Sequence, residues 1–274
     1  MRGLMRLAVI PLAFLLTGAD FHNVAQGATA QIDEHGECRM VENNHVSGHG
    51  LFVPTKTAPE WAAMRDSAVP GVTVSACAPS CPAGSQSFTT AGNHSFEVPC
   101  HNTMTVEVWG AGCGGNGCVT GSSFAAQGSH GEASSWDSAL VGGGGQRATA
   151  SVGGAGGSAS GGTTNTPGQA GASGNSHGGK GGDSPNGGSG GAQLNTAGNG
   201  NPGNAPGGGG GGSYQSGCHG DGGGGGGYSS ITYSAGTYAV GATIPVTVGA
   251  GGLGGVGNRT GGKGADGEVT ITWN

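Results

Sequence analysis

Apolar and polar residues alternate in two segments near the ends of the region that follows residue 85. In 103–109 and 268–273 every second residue is apolar, and Met104, Val106 and Val108 share one face. A period of two is typical of a β-strand with one buried face. Four further strands are predicted at 87–90, 95–98, 228–233 and 242–248. The pattern therefore predicts an antiparallel β-sandwich that the C-terminal strand completes.

A glycine-rich region separates the first of these strands from the last. About 50 of the 126 residues in 142–267 are glycine, including unbroken runs of six at 207–212 and 222–227. Glycine has no side chain to pack and loses the most backbone entropy on ordering. The region is therefore either a flexible linker or a structure that requires the missing side chain. Strand patterns on both sides, and the length of the region, favour an ordered insertion.

Glycine recurs at every third position in short tracts, for example in 168–174, 249–255 and 261–267. The period breaks too often, and proline is too rare, for collagen. A polyproline II helix has three residues per turn, so glycine on one or two edges lets neighbouring helices approach and exchange backbone hydrogen bonds. The predicted fold is therefore mainly β, with a bundle of glycine-rich polyproline II helices inserted into an antiparallel β-sandwich.

The first 84 residues differ from the rest. Residues 1–30 have a basic start, an apolar run at 7–16 and a small-residue site at 28–30. These features predict a secretory signal peptide, cleaved after Ala30, and a secreted protein. Residues 31–84 are predicted to form a small cysteine-containing segment, with one short helix after the capping pattern from Thr57 to Glu60. Residues 85–274 are the predicted glycine-rich domain. No membrane insertion is predicted, because no later segment is long and apolar enough.

Charge and ligand spacing disfavour several classes of function. After residue 30 the chain carries 7 basic and 14 acidic residues, and the basic residues are scattered. Phosphate recognition needs clustered basic residues, so nucleic-acid binding is not predicted. Cys77-x3-Cys81 and His45-x3-His49 place ligand types close together, but neither has the paired spacing of a zinc site. No metal and no cofactor is therefore predicted.

All seven cysteines follow the predicted signal peptide, and cysteines of an exported protein are expected to form disulfides. Three bridges and one odd thiol fit this number, and the sequence leaves the pairing open. Cys113 and Cys118 flank a Gly-Gly-Asn-Gly turn and are the first pair expected. Cys77 and Cys81 are expected to cross-link the connector before the sandwich. Cys218, between the six-glycine runs, is expected to tie those runs to the scaffold.

Several motifs follow one another in an order that resembles a known class of glycine-rich domain. They are Phe96-Glu-Val-Pro99, Val106-Glu-Val-Trp-Gly-Ala-Gly112, a glycine run ending in Gly-Gly-Tyr228-Ser, Ile244-Pro-Val-Thr-Val-Gly-Ala-Gly-Gly252 and Gly267-Glu-Val-Thr-Ile-Thr-Trp273. Over residues 85–274 this order resembles the glycine-rich domains of bacteriophage tail-fibre adhesins and related exported bacterial proteins. The glycine run before tyrosine is also similar to the extracellular region of anaplastic lymphoma kinase-type receptors.

The resemblance implies a β-sandwich that carries packed polyproline II helices, whose loop tips contact a cell-surface receptor. The chain departs from phage adhesins in its predicted signal peptide and its cysteines, which favours a bacterial exported protein over a virion component.

Two aromatic residues are the predicted exposed contacts for a cell-surface glycan or protein. Trp136 lies in the polar stretch Ser-Ser-Trp-Asp, and Tyr214 lies beside a six-glycine run. Aromatic rings carry large contact area with a polar handle, which suits such contacts. Asn195, Asn199 and Asn201 belong to a predicted loop tip of the bundle. The sequence thus predicts a secreted, non-enzymatic adhesin or surface-recognition protein.

The residues leave alternatives to this function. Self-association through packed glycine helices or open strand edges would make a structural matrix protein, and flat polyproline II faces would suit ice binding. The motif Gly-x-Ser-x-Gly at 187–191 lacks the strand and helix of a nucleophile elbow, so no catalytic residue is predicted. Gly-Gly-Lys-Gly-x-Asp at 178–183 and 261–266 resembles the start of a calcium-binding nonapeptide, but such sites need tandem repeats.

Overall fold

The computed structural model describes residues 28–32, 38–42, 81–119, 126–149 and 151–274. The chain divides into two compact units, Met1–Ser80 and Cys81–Asn274. In the first unit, β1 (Ala28–Ile32) pairs antiparallel with β2 (Cys38–Glu42). β1 spans the predicted cleavage site, so cleavage after Ala30 would leave two of its five residues. The predicted short helix and the apolar run of the signal peptide lie outside the described residues.

The second unit is built from short strands, and its described residues include no helix. The prediction of a mainly β, antiparallel fold is confirmed. The strands are β3 (Gly84–Phe88), β4 (Gly92–Glu97), β5 (Thr103–Trp109), β6 (Ser134–Trp136), β7 (Leu140–Gly142), β8 (Ala159–Ser160), β9 (Thr164–Thr166), β10 (Tyr214–Gln215), β11 (Cys218–His219), β12 (Tyr228–Ser234), β13 (Thr243–Val248) and β14 (Glu268–Trp273).

Ten of these strands form two five-stranded sheets that share one hydrophobic core. The first sheet has the order β3-β14-β5-β12-β9, and the second has the order β4-β13-β6-β7-β8. Met104, Val106 and Ile271 of the first sheet belong to the same buried cluster as Phe96 and Trp136 of the second. Alternate residues of β5 and β14 enter this core, as their period of two predicts.

The hairpin of β6 and β7 is absent from the sequence-based prediction. Its connection needs positive φ angles, and Asp137 and Ser138 have φ of 49° and 54°. Two successive positive φ values are characteristic of the type I′ turn that suits the twist of a hairpin. The pairing places Trp136 opposite Leu140, and both side chains are buried. The polar stretch around Trp136 is therefore a strand whose tryptophan enters the core.

The glycine-rich segments extend from one end of the two sheets. β5 continues directly into 110–118, β12 begins after 220–227, and 249–267 connects β13 to β14. Trp109 pairs with both Tyr228 and Glu268. The strand ends that lead into glycine-rich segments are therefore neighbours in the sheet, and the segments leave it side by side.

Segment 110–118 shows how these segments bond to each other. The amides of Gly110, Cys113 and Asn116 donate to carbonyls of 220–227. The amides one position later in the sequence donate to 126–132, and the amides two positions later donate to 259–267. Each step of three residues returns the chain to the same neighbour. This is the repeat expected for a helix with three residues per turn.

Twelve segments with such bonds, among the described residues, form what we call the glycine-rich bundle. Three of them, 110–118, 207–213 and 220–227, bond to one another and are its central segments. The other nine surround these three, and each bonds to the next around a closed ring. In ring order they are 126–132, 143–148, 152–158, 168–174, 178–184, 188–194, 198–204, 259–267 and 249–256.

The two six-glycine runs belong to central segments because every edge of a central segment faces another backbone. The amides of Gly222, Gly223 and Gly224 donate to carbonyls in three different segments. A Cβ atom on Gly224 would lie against the carbonyl oxygen of Ala155. A segment of the outer ring has an edge that faces solvent, so side chains occur there between glycines. Position in the bundle thus accounts for the two unbroken runs in the centre and a period of three outside. The third central segment, 110–118, also holds small buried side chains, such as Ala111 and Cys113.

Candidate recognition site

The end of the glycine-rich bundle farthest from the sheets is its distal end. Because β5 runs into 110–118, Gly110 lies beside the sheets and Cys118 lies at the distal end. Cys118 exchanges backbone hydrogen bonds with Arg259 and forms a disulfide with Cys218. The distal end is formed by the turns 174–178, 194–198, 214–219 and 256–259 and by the bridge between Thr149 and Val152.

Backbone pairing holds several of these turns together. Tyr214 pairs with His219 in the β10–β11 hairpin, and it also bonds to Gly198 in both directions. Gly178 in turn pairs with Leu194. Three turns that are separate in the sequence therefore meet at one place, because the antiparallel segments that carry them all end at the same level.

A cluster of three rings lies at this meeting point. The ring of Tyr214 stacks on that of His219, with centroids 5.4 Å apart and planes 15° apart. The ring of His177 lies 6.1 Å from Tyr214 on a tilted plane. All three side chains are half-buried, so each keeps part of its surface exposed to solvent. Below we call His177, Tyr214 and His219 the ring cluster.

A buried carboxylate supports the distal end from inside. Asp221 is 4% exposed, and its two oxygens accept hydrogen bonds from the amide of Gly174 at 2.8 Å and from the side chain of Asn116 at 3.3 Å. The Asn116 side-chain oxygen accepts from the amide of Gly128 at 3.1 Å. These bonds connect the start of turn 174–178, which carries His177, to a central segment.

Charges are segregated along the bundle. Of the eight acidic residues in 81–274, seven lie in the sheets, in their connecting turns or in the half of the bundle beside the sheets, and the exception is the buried Asp221. Arg259 lies at the distal end and is exposed, and Lys180 lies one turn from His177. The distal end therefore presents basic and aromatic groups without an exposed carboxylate among the described residues.

The two copies of Gly-Gly-Lys-Gly-x-Asp adopt the same local structure. Lys180 bonds to Asp183 at 2.9 Å, and Lys263 bonds to Asp266 at 3.3 Å, each pair one turn of three residues apart. Each carboxylate also accepts a backbone amide from a neighbouring segment, from Gly190 and Gly251. The repeated phrase thus ties adjacent segments together, and its carboxylates are engaged by these groups.

Asp183 also shows the electrostatic effect of this arrangement. Partial burial acts to raise the pKa of its carboxyl group. The hydrogen bond from Lys180, the amide of Gly190 and the positive charge of Lys180 together outweigh burial, and the pKa of Asp183 lies below its ordinary value.

The structure separates the predicted contact residues into two groups. Tyr214 and Asn195 lie at the distal end, and Asn195 is exposed. Asn199 follows the same turn, and its side chain accepts the amide of Thr260 at 3.0 Å. Asn201 lies further along the segment, where its side chain donates to the carbonyl of Ala192 at 3.1 Å. Asn199 and Asn201 therefore have a structural role between neighbouring segments.

The prediction that Trp136 is an exposed contact is wrong. Its side chain is 0% exposed, and its ring contacts Phe96 and Tyr238 in the core. The indole N–H donates to the hydroxyl of Tyr238 at 3.2 Å, and that hydroxyl donates to Asp137. The polar neighbours of Trp136 are explained by the short hairpin, whose turn residues face solvent.

The expected disulfide between Cys113 and Cys118 is also wrong. Cys113 is a free thiol inside the bundle, whereas Cys118 pairs with Cys218. Within one extended segment, residues five positions apart lie at different heights along the bundle. A cysteine therefore finds its disulfide partner in an adjacent part of the bundle at its own height. Burial raises the pKa of Cys113 to about 12.

The cross-link expected between Cys77 and Cys81 is replaced by another. Cys81 pairs with Cys100, with their Cα atoms 5.2 Å apart, and the two cysteines flank β3 and β4, consecutive strands that lie in different sheets. Cys77 lies outside the described residues. The expectation that Cys218 ties the glycine runs to the scaffold agrees with its pairing to Cys118, because Cys118 ends a central segment and Cys218 lies in the hairpin between the two six-glycine runs.

His177 and His219 were not among the predicted contact residues. Neither lies in a recognised motif, and 37 residues separate Tyr214 from His177. One signal was available, because all three residues interrupt the glycine tracts. Interruptions of the period of three mark the turns between segments, and the turns meet at the ends of the bundle.

The described residues include no helix with the length and hydropathy needed to cross a bilayer. They also bring together no group of three His, Cys, Asp or Glu side chains suited to a metal ion. Comparison of the chain with models of protein families, with curated proteins and with solved structures finds no match. The resemblance to phage adhesin domains therefore stays a prediction from the sequence motifs.

Proposed function

We propose that this protein is a secreted, non-enzymatic recognition protein. In this proposal a β-sandwich anchors a bundle of polyproline II helices, and the distal end of the bundle contacts a glycan or protein on a cell surface. The observation that carries the proposal is the convergence of separate turns, with a half-buried ring cluster, at the end of a bundle whose backbone bonds form a closed ring.

Rigidity supports a role in recognition. A loop that is ordered before binding loses less entropy when it binds, and affinity rises accordingly. Tyr214 is held by backbone bonds to Gly198 and by the hairpin that the Cys118–Cys218 disulfide joins to a central segment. The distal turns are thus tied to the scaffold on several sides, as a preorganised binding surface requires.

The closed ring also bears on the structural alternative. Backbone groups on the flank of the bundle already bond from segment to segment around the ring, so only the solvent-facing edges of the outer segments are left for stacking of glycine helices between molecules. The sheets do offer edges, because β3 and β4 each pair on one side among the described strands. Self-association through these strand edges is the second candidate function.

Binding to intact cells tests the proposal. We expect saturable binding of labelled mature protein to cells of the producing organism or its neighbours, and we expect Tyr214→Ser to weaken it about tenfold, as loss of a central aromatic contact does. Leu253→Ser is the matched control, because Leu253 is 67% exposed on the flank. Equal binding by both variants would remove the distal end as the site.

Sedimentation of the same mature protein separates the second candidate. Assembly that grows with protein concentration, without any ligand, and that is stopped by a proline in β4 would favour a matrix role. A monomer at all concentrations would remove it.

A further inference from the structure

We infer that the distal end binds a polysaccharide that carries carboxylate groups, through Arg259 and the ring cluster. This inference rests on the proposed function and names the chemical class of its ligand. Exposed carboxylates are segregated toward the sheets and away from the distal end. The sequence does not show this segregation, because the basic residues are scattered along the chain.

Charge complementarity selects an anionic ligand. Residues 81–274 carry twice as many acidic as basic residues, yet the distal end exposes Arg259 while its one carboxylate, Asp221, is buried and bonded to Asn116 and Gly174. The remaining carboxylates lie toward the sheets. An anionic polymer that approaches the distal end therefore meets positive charge first, and it is repelled from the sheet end.

The groups at the distal end match a sugar acid. A guanidinium group donates two parallel hydrogen bonds to a carboxylate. Arg259 exchanges backbone hydrogen bonds with Cys118, whose disulfide partner Cys218 precedes His219, so Arg259 and the ring cluster belong to linked turns of the distal end. Imidazole N–H groups of His177 and His219 are further donors. The partly exposed ring of Tyr214 supplies an apolar surface with a polar tip.

A polysaccharide fits this site better than a nucleic acid does. Nucleic-acid binding needs basic residues along a track of several phosphates. Here Arg259 stands at the tip, and Lys180 and Lys263 on the flank already bond to Asp183 and Asp266. Arg147 is exposed as well, but it lies in segment 143–148, which 249–256 and 126–132 separate from 259–267 in the ring. The cations are therefore spread around the bundle and form no continuous track among the described residues. A sugar carboxylate that binds at one point suits the guanidinium group of Arg259 and the ring cluster.

Binding of two matched polymers tests the inference. Polygalacturonate carries a carboxylate on every sugar, and its fully methyl-esterified form has the same backbone without charge. We expect the mature protein to bind polygalacturonate at least about tenfold more tightly than the ester, and we expect this preference to shrink as salt rises to about 0.5 M. Calorimetric titration measures both.

Two variants of equal charge locate the site. Arg259→Gln is expected to remove most of the preference for polygalacturonate, whereas Lys263→Gln, on the flank, is expected to leave it within about twofold of wild type. Equal losses in both variants would mean that the polymer follows net charge only, and would overturn the inference. A thermal unfolding scan of each variant checks that the fold is intact.

The other outcomes separate this inference from the proposed function. Binding of neither polymer, or equal binding of both, overturns carboxylate recognition. If Tyr214→Ser then still weakens cell binding, the distal end is supported as the recognition site for a different ligand. If the wild-type protein shows no preference for the carboxylate polymer, and Tyr214→Ser leaves cell binding unchanged, both the inference and the proposed function are overturned.

Discussion

Cys118 and Cys218 are 100 residues apart in the sequence, and their disulfide joins the distal end of a central segment to the hairpin that carries Tyr214. A cross-link that closes so long a loop restricts the unfolded chain strongly. We expect Cys118→Ala with Cys218→Ala to lower the free energy of unfolding by about 3–5 kcal/mol. Urea denaturation of the double variant measures this loss.

The second disulfide provides a matched control for function. Cys81 and Cys100 flank β3 and β4, away from the distal end, and are 19 positions apart in sequence. Replacing both by alanine is expected to cost about 3 kcal/mol of stability and to leave cell binding unchanged. The Cys118–Cys218 variant is expected to lose binding even at temperatures where it remains folded. Equal binding by the two variants would show that the disulfide does not position the distal end.

Two glycines that differ only in their surroundings test the packing of the bundle. A Cβ atom on Gly224 would meet the backbone of 152–158, whereas the nearest atoms to a Cβ on Gly198 are 3.8 Å away. We expect Gly224→Ala to destabilise the protein by about 1–3 kcal/mol or more. Gly198→Ala is expected to change stability by less than about 1 kcal/mol. Similar effects of both substitutions on the urea midpoint would contradict close packing in the centre.

The strand pattern and the bundle differ in how far the sequence predicts them. β5 and β14 have the bounds that their alternation indicates, because a period of two directly reflects one buried face. The period of three indicates that glycine segments pack, but it does not order nine segments around three central ones. That order depends on contacts between distant residues, such as Gln169 with Asp183, which no local pattern encodes.

Cys113 is expected to be unreactive in the folded protein. Its thiol is buried between central and outer segments, and burial raises its pKa to about 12, so the reactive thiolate is scarce at pH 8. We expect iodoacetamide to leave Cys113 unmodified in native protein and to modify it in urea, as measured by mass spectrometry of peptides. Rapid modification without urea would show that the bundle opens at this position.

Asp183 is expected to contribute a small, pH-dependent stabilisation. Its pKa is lower in the folded protein than the ordinary value of about 3.9, so its contribution is present above that value and is lost as pH falls through the folded pKa. Since the side chains of Asp183 and Lys180 are 31% and 47% exposed, we expect Asp183→Asn to cost less than about 1 kcal/mol at pH 7. Urea denaturation at pH 7 and near pH 2 measures the difference, which should be smaller at the lower pH. A cost that is undiminished there would assign the effect to something other than ionisation.

The candidate site was only partly predictable for a related reason. Tyr214 stands out in the sequence because an aromatic residue beside six glycines lacks a strand pattern to bury it. Trp136 carried the same signal and proved to be core, because a three-residue strand is too short for alternation to be recognised. His219 lies opposite Tyr214 in a hairpin of two-residue strands, which are too short for a pattern to reveal. His177 becomes a neighbour of Tyr214 only after segments 178–184 and 207–213 are placed side by side.

Amide hydrogen exchange of the six-glycine runs tests most directly whether the glycine-rich region is an ordered bundle. Each amide of Gly207–Gly212 and Gly222–Gly227 donates to a backbone carbonyl of another segment, and all these residues are buried. We expect these amides to be among the slowest to exchange in the protein, because they open only with global unfolding. Exchange at the rate of an unstructured glycine peptide would contradict the bundle and the rigid recognition site built on it.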